Sequence, residues 1–104
     1  MKLSLSLLAS TLAIGVFADL HYTGICYDSP GDDVQVYNKD ATDKACTAYK
    51  NRNTGDKQWD QCPDCTLLSD QDLLYYCQSE GQHIGGDELN YYCKQNGAGG
   101  SLAW

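Results

Sequence analysis

The sequence predicts an α+β fold, a small disulfide-stapled two-layer sandwich with two helices on one face of a mainly antiparallel sheet. Two observations predict it. Short segments of strand composition alternate with two segments of helical periodicity, in the ferredoxin-like order βαββαβ. The chain also holds six cysteines in 104 residues, a density typical of small secreted domains that disulfide bonds stabilise.

The first 18 residues are interpreted as a secretory signal peptide and take no part in the fold. Lys2 supplies the positive charge, an apolar stretch follows, and Ala18 ends the segment with a small residue. Cleavage before Asp19 leaves a single disulfide-rich domain over residues 19–104. The apolar stretch is short for a membrane span of roughly 20 residues, so we expect a secreted, extracellular protein without membrane insertion.

The first half of this domain predicts a strand, an extended segment and a helix. Residues 20–28 are rich in aromatic and β-branched side chains and end before SPGDD, a strong turn signal. Residues 34–37 alternate and predict a short strand or an extended lead-in. A helix follows, with Asp40 or Thr42 as its expected N-cap and Gly55 near its end. Four residues mark its inward face: Ala41, Ala45, Cys46 and Tyr49.

The second half predicts a hairpin, a second helix and a last strand. Residues 65–69 and 73–79 are apolar segments on either side of a turn-like sequence and predict the two hairpin strands. Asp87 is the expected N-cap of the second helix, and Gly97 is its expected stop. The final SLAW can add one short strand. The inward face of the helix is marked by Leu89, Tyr92, Cys93 and Asn96.

All six cysteines follow the expected cleavage point and predict a disulfide framework, with the pairing left open. Because Cys46 and Cys93 lie on the inward faces of the two predicted helices, we expect one bridge from each helix to the sheet. The disulfide cysteines are Cys26, Cys46, Cys62, Cys65, Cys77 and Cys93.

Two other interpretations of the Cys62-Pro-Asp-Cys65 segment are less favoured. A redox dithiol normally opens a helix whose dipole lowers the thiol pKa, whereas Asp60 and Asp64 add negative charge that would raise it. A zinc site formed by the last four cysteines has tolerable spacing, but an oxidising compartment and the two remaining cysteines disfavour it. We therefore expect neither a metal nor a cofactor.

The charged residues argue against an enzyme and against nucleic-acid binding. Removing residues 1–18 takes away one lysine and no acid, so the net charge moves from −7 to −8. An acidic domain repels phosphate backbones and anionic lipids. His21, His83 and Arg52 are the whole stock of histidine and arginine, too few to assemble the base, acid and cation of a small ribonuclease. We expect no catalytic residues.

Eight tyrosines in so small a domain have two interpretations. Their rings can fill the core while their hydroxyls reach water, or an exposed group of rings can recognise another protein. Tyr91 is expected to point outward from the second helix, and His83 lies on the loop before it with no second histidine or free cysteine to complete a metal site. The candidate interaction surface is Tyr91, Tyr75 and His83.

Two segments carry a family resemblance: ACTAYKNRNTGDKQWDQCPDC and GQHIGGDELNYYCKQNGAGGSLA. Together with the signal peptide and six cysteines, they resemble fungal small secreted cysteine-rich proteins, the effector-candidate class. The element order resembles the killer-toxin-like α/β fold of the smut-fungus killer toxin and of Secreted-in-Xylem-type effectors. The resemblance implies a virulence protein that binds a host or secreted protein without catalysis, with entry into host cells as a later step. The alternatives are an antimicrobial or killer-like toxin acting on competing microbes and, last, a small extracellular hydrolase.

Overall fold

The structure, a computed structural model, describes residues 20–72 and 74–104. The predicted signal peptide at 1–18 and residue 73 of a predicted strand lie outside the described residues. The described chain folds into β1 (Leu20–His21), β2 (Thr23–Gly31), β3 (Val34–Tyr37), α1 (Lys39–Lys50), a 3-10 turn (Gln58–Asp60), β4 (Thr66–Ser69), β5 (Tyr75–Gln78), β6 (Ile84–Gly85), α2 (Gly86–Gln95) and β7 (Gly100–Ala103). Two helices pack on an antiparallel sheet, so the predicted α+β class is confirmed.

The strand order of the main sheet follows from the central strand β2. Gly24 of β2 pairs with Ala103 of β7 on one side and with Cys77 of β5 on the other. β4 pairs along the far edge of β5, which gives the order β7-β2-β5-β4 expected of a βαββαβ chain. β3 is an added strand that pairs with the second half of β2, and β1 and β6 form a separate two-stranded sheet.

The first predicted strand, residues 20–28, is divided in the structure: β1 pairs with β6 in the small sheet, and β2 begins at Thr23 and runs past the expected end. Residues 20–28 were expected to end at the SPGDD turn, but β2 continues through Pro30 to Gly31. The register with β3 shifts between Asp28 and Gly31, an irregularity that accommodates a proline because the ladder does not need its missing N–H. The turn itself falls on the last two residues of SPGDD, where Asp33 has φ 59°.

The start of α1 is capped by a residue that the sequence analysis did not single out. Asn38 is the N-cap, and its side-chain oxygen accepts a hydrogen bond from the Ala41 N–H at 2.9 Å. Asp40 lies inside the first turn. The Thr42 hydroxyl lies inside the helix, where it donates to the Asn38 carbonyl and accepts from the Cys26 N–H. The expected caps at Asp40 and Thr42 are therefore wrong, and the helix ends at Lys50, before Gly55.

The N-cap of the second helix lies two residues before the expected one. Gly85 is the N-cap without a side-chain hydrogen bond, and Asp87 lies in the first turn, so the expected cap at Asp87 is wrong. The reason is that Gly85 already belongs to β6, paired with Leu20, and the helix follows the strand directly. The expected stop is confirmed, because the helix ends at Gln95 and Gly97 has φ +88°.

Two of the three disulfide bonds join a helix to the sheet, as predicted. Cys46 of α1 is bonded to Cys77 of β5, and Cys93 of α2 is bonded to Cys26 of β2. The third, Cys62–Cys65, closes a loop within four consecutive residues. In the chain-entropy account the two long bridges stabilise the fold by about 4 kcal/mol each and the short one by about 2 kcal/mol.

The core lies between the helices and the sheet. Its largest fully buried side chains include Tyr49 of α1, Ile84 of β6 and Leu89 of α2. Gly24 admits Leu89 to the surface of β2, since a Cβ at Gly24 would overlap the Leu89 side chain. Across the described ranges, no helix has the length and apolarity that a membrane crossing requires.

Candidate functional site

A groove of about 410 Å³ opens between the segment that follows α1 and the first turns of α2. The wall on the α1 side is polar, and the wall on the α2 side combines two carboxylates with two aromatic rings. The groove is lined by Arg52, Thr54, Asp87, Glu88, Tyr91 and Tyr92.

The α1 side of the groove is held by a small polar network. The Arg52 Nε donates to the Thr54 hydroxyl at 3.0 Å, and that hydroxyl lies 3.0 Å from a carboxylate oxygen of Asp60. The Arg52 guanidinium lies 3.8 Å from the same carboxylate. Because Asp60 belongs to the 3-10 turn, this network fixes the chain after α1 and neutralises the one cation that lines the groove.

Three tyrosine rings connect the groove to the core. The Tyr49 ring is completely buried and lies 5.6 Å from the Tyr92 ring, which in turn meets the Tyr91 ring edge-on at 5.1 Å. The Arg52 guanidinium lies 5.9 Å from the Tyr49 centroid and 5.7 Å from that of Tyr92. Tyr91 is 53% exposed, so a row of packed rings ends in one that faces solvent.

The electrostatics of the groove are set by the first turn of α2. Asp87 is exposed and Glu88 is half-buried, and both stand where the helix dipole favours negative charge. Since Arg52 is paired with Asp60, the groove as a whole presents negative charge beside an exposed aromatic ring.

The three residues predicted to form an interaction surface make their contacts in three different places. Tyr91 lines the groove. The Tyr75 ring lies 4.4 Å beneath the Lys39 ammonium at the start of α1. The His83 Nδ1 lies 2.8 Å from the Gln58 carbonyl oxygen, and its backbone N–H donates to the Ser79 hydroxyl.

Sequence reasoning missed the residues that line the groove together with Tyr91. The sequence indicates no binding role for Arg52 or Thr54. Tyr92 was expected to face the core but is half-buried and shared between core and groove. The signal that could have found them is the tyrosine pair on the second helix facing the end of the first, because two helices on one sheet face pack against each other.

The cysteines offer no metal site in the part of the chain that the structure describes. One group of three potential ligands occurs there, Cys46, Cys65 and Cys77. All three sulfurs are in disulfide bonds, and a sulfur bonded in this way is not the thiolate that zinc requires.

A second exposed surface lies on the sheet face away from the helices. The bonds from Cys26 and Cys77 to the helices mark the covered face, and successive residues of a strand alternate between faces. Ile25, which is buried, and its partner Leu102 therefore lie on the face away from the helices, together with Trp104 beyond β7. Leu102 and Trp104 are exposed. A cleft on this face places one charged group, Asp70, beside Tyr76 and Trp104. The groove differs in placing three, Arg52, Asp87 and Glu88, beside its rings.

Comparison with known proteins identifies one family. The family described as biotrophy-associated secreted protein 4 (BAS4) matches residues 19–101, which include both helices, all six cysteines and the main sheet up to the first half of β7. No curated protein and no solved structure matches the chain significantly. The resemblance to the killer-toxin-like fold therefore stays a prediction.

Proposed function

The chain belongs to the biotrophy-associated secreted protein 4 family, and from this premise we propose that it acts by binding a host or secreted protein in the groove between its helices. Family membership confirms the predicted class, a small secreted cysteine-rich effector candidate, and it supports secretion to the extracellular space. Biotrophy is growth on living host tissue, so a protein associated with it has host proteins within reach.

The observation that carries the proposal is the exposure of Tyr91. More than half of this side chain faces solvent, although its ring packs edge-on against Tyr92 at 5.1 Å. A ring held in this way loses little conformational freedom on binding and offers a large apolar face, which is why tyrosine is enriched at interface hot spots.

Charge complementarity favours a basic segment of the partner. Asp87 and Glu88 line the groove beside Tyr91, and the domain over residues 19–104 carries the strong negative charge derived above. A lysine or arginine of the partner can lie over the Tyr91 ring, where a cation is attracted to the ring face, and its charge is then close to the two carboxylates. Arg52 opposes this little because Asp60 neutralises it.

We also propose that the protein acts without catalysis. The groove-lining residues are two acids, an arginine, a threonine and two tyrosines. His21 and His83, the histidines of the chain, do not line it. An imidazole, the usual proton-transfer group near neutral pH, is therefore not at hand in the groove.

The test is capture of partners by oxidised protein comprising residues 19–104, followed by affinity measurement with each purified partner. We expect Tyr91→Ala to weaken the binding by about tenfold or more, and higher salt to weaken it further. Tyr22→Ala is the matched control, because Tyr22 is 49% exposed and does not line the groove. Equal affinity of the wild type and Tyr91→Ala for every captured partner would overturn the groove as the binding site.

Two further arms separate the alternatives that the sequence left open. Capture from host extracellular fluid and from host cell lysate distinguishes action outside host cells from action after entry, which is the finer part of the proposal. Growth inhibition of bacteria and fungi by the purified protein tests the toxin alternative. A protein that inhibits microbes, while its deletion leaves infection unchanged, is a toxin and not an effector.

A further inference from the structure

Two disulfide bonds lie against each other where α1 crosses the sheet. The Sγ atoms of Cys46, Cys65 and Cys77 are all within 4.8 Å of one another. Cys46 and Cys77 form the bond that holds α1 to β5, and Cys65 is bonded to Cys62. The Cys65 sulfur is therefore close to both sulfurs of the neighbouring bond.

This contact is reached from the surface through a cleft of about 130 Å³. Cys46 and Cys65 form part of its wall and keep 3% and 2% of their surface exposed. Lys50, an exposed residue of the last turn of α1, also lines the cleft. A nearby ammonium favours the thiolate over the thiol, and the thiolate is the form that attacks a disulfide.

We propose that this cleft is a site of thiol–disulfide exchange whose external substrate is a small thiol. Two external thiols reduce the Cys62–Cys65 bond: the first attacks and forms a mixed disulfide, and the second releases it as the oxidised external disulfide, leaving two protein thiols. The Cys65 thiolate then attacks Cys46 or Cys77, forms a new bond to that sulfur and expels the other as a thiolate. This second step is an exchange without net oxidation.

Sequence separation indicates which of the two bridges the fold can lose at the smaller cost in stability. Cys62 and Cys65 are separated by 3 positions, whereas Cys46 and Cys77 are separated by 31. The short bridge restricts the unfolded chain least, so its loss costs the least stability. The other two bridges still hold the fold together. Of the two thiols released, only that of Cys65 belongs to the group of three close sulfurs.

The exchange changes how α1 is held. A new Cys65–Cys77 bond leaves α1 without a covalent link to the sheet, and a Cys65–Cys46 bond ties α1 to the loop before β4 instead of to β5. Encounter with a thiol-containing compartment would thereby loosen one helix while the Cys26–Cys93 bridge keeps the other in place. This site is separate from the groove, so the two proposals stand or fall independently.

The first test uses the native protein. Oxidised protein is treated with reduced glutathione, free thiols are blocked with N-ethylmaleimide, and the labelled cysteines are found by mass spectrometry after proteolysis without reduction. We expect a fraction labelled at Cys62 together with Cys46 or Cys77, in which Cys65 is in a new bridge. Labels confined to Cys62 and Cys65, or first opening of another bridge, would overturn the proposal.

Two single substitutions provide a matched pair. Cys62→Ser leaves the Cys65 thiol next to Cys46 and Cys77, whereas Cys65→Ser leaves the Cys62 thiol, which is not in the group of three. We expect rearranged bridges to be about tenfold more abundant in Cys62→Ser than in Cys65→Ser. Equal amounts in the two variants would contradict the inference. Because the native-protein experiment needs no substitution, a variant that misfolds does not remove the test.

Discussion

The hydroxyl of Tyr49 accepts a hydrogen bond from the backbone N–H of Gly85 over 3.0 Å, and so joins the last turn of α1 to the N-cap of α2. The same hydroxyl donates to the carbonyl oxygen of Trp59 at 2.8 Å. The carbonyl oxygen of His83 is a second acceptor within reach, at 3.0 Å. The side chain is completely buried. Trp59 directly precedes Asp60, which is paired with Arg52 on one side of the groove. The Tyr49 hydroxyl therefore fixes the backbone on both sides of the groove.

Replacing Tyr49 with phenylalanine is expected to destabilise the protein by about 1–3 kcal/mol. The substitution keeps the ring but leaves the buried Gly85 N–H and the carbonyl of the half-buried Trp59 without their hydroxyl partner. Urea unfolding of the oxidised protein measures the effect. Tyr91→Phe is the control, since removal of an exposed hydroxyl should change the free energy of unfolding by less than about 0.5 kcal/mol. Equal effects of the two substitutions would contradict this role of the Tyr49 hydroxyl.

Because the Tyr49 hydroxyl is buried, its ionisation makes the stability of the protein depend on pH. Desolvation is the largest cause that raises the pKa of Tyr49 from 10.0 to about 12. Since the folded-state pKa is the higher one, the associated stability is fully present below about pH 10 and is lost as the pH rises towards 12. The full loss is about 2.7 kcal/mol, at about 1.36 kcal/mol per pKa unit.

Unfolding free energies of the wild type and Tyr49→Phe between about pH 9 and 12 test this dependence. The stability advantage of the wild type should shrink as the pH rises. Only the wild type has a buried phenol at this position, and that phenol ionises more readily in the unfolded state than in the folded state. Comparison within the pair removes the contribution of the other tyrosines, which are common to both proteins. Parallel curves would show that Tyr49 ionises at its ordinary pKa.

Much of the fold follows from local patterns. The helical spacing of Ala41, Ala45, Cys46 and Tyr49 identifies a face that the structure buries completely or nearly so. The helix caps also depend on contacts with residues far away in the sequence. Asn38 and Asp40 are equally suitable N-caps by residue type, and the structure selects Asn38 because Thr42 inside the helix binds the Cys26 N–H of a distant strand. A sequence window around the helix does not contain that contact.

The candidate site, too, is predicted only in part by local sequence patterns. That Tyr91 points outward follows from the spacing of the second helix and is seen in its exposure. Arg52 and Thr54, which line the groove with it, come after α1 in the chain. Their positions depend on contacts with Asp60 of the 3-10 turn and on the bond from Tyr49 to Trp59. Such contacts between distant residues arise from tertiary packing, which periodicity does not encode.

The disulfide bonds are expected to contribute unequally to stability. Cys46→Ala with Cys77→Ala should lower the free energy of unfolding by about 4 kcal/mol, and Cys62→Ala with Cys65→Ala by about 2 kcal/mol. The reason is the sequence separation, 31 against 3, because a longer closed loop restricts the unfolded chain more. Guanidinium unfolding of the two double variants measures the difference. An equal or reversed order would mean that native-state contacts, not chain entropy, set the contribution.

The close approach of α2 to the sheet at Gly24 gives a packing prediction. A Cβ at Gly24 would overlap the Cδ2 of Leu89, and Leu89 is buried and has little room to move. Gly24→Ala should therefore cost about 1–3 kcal/mol, as expected for an overpacked core. Gly31→Ala is the matched control on the same strand, because a Cβ at Gly31 would meet no atom within 4 Å. Thermal unfolding that shifts equally in both variants would contradict the close approach.

The carboxylate of Asp64 offers a prediction at acid pH. Burial by itself raises the pKa of Asp64, but hydrogen bonds from the Ser79 hydroxyl and the Gly81 N–H, both 2.7 Å, and the charge of His83 outweigh it and hold the pKa below 3.8. A depressed pKa stabilises the fold above the ordinary value, and this contribution is lost as the pH falls through the folded-state pKa.

Ser79→Ala removes the first of these donors, so we expect the pKa of Asp64 to rise and the stability of the variant to depend less on pH in the acid range. Carboxyl chemical shifts followed by NMR during an acid titration measure the pKa directly. Ser101→Ala is the control, because the Ser101 hydroxyl contacts Asn90 and no carboxylate. The stability difference between the wild type and Ser79→Ala should be largest near neutral pH and smaller in acid. An unchanged Asp64 titration in Ser79→Ala would show that the Gly81 N–H and His83 hold the carboxylate without help from the hydroxyl.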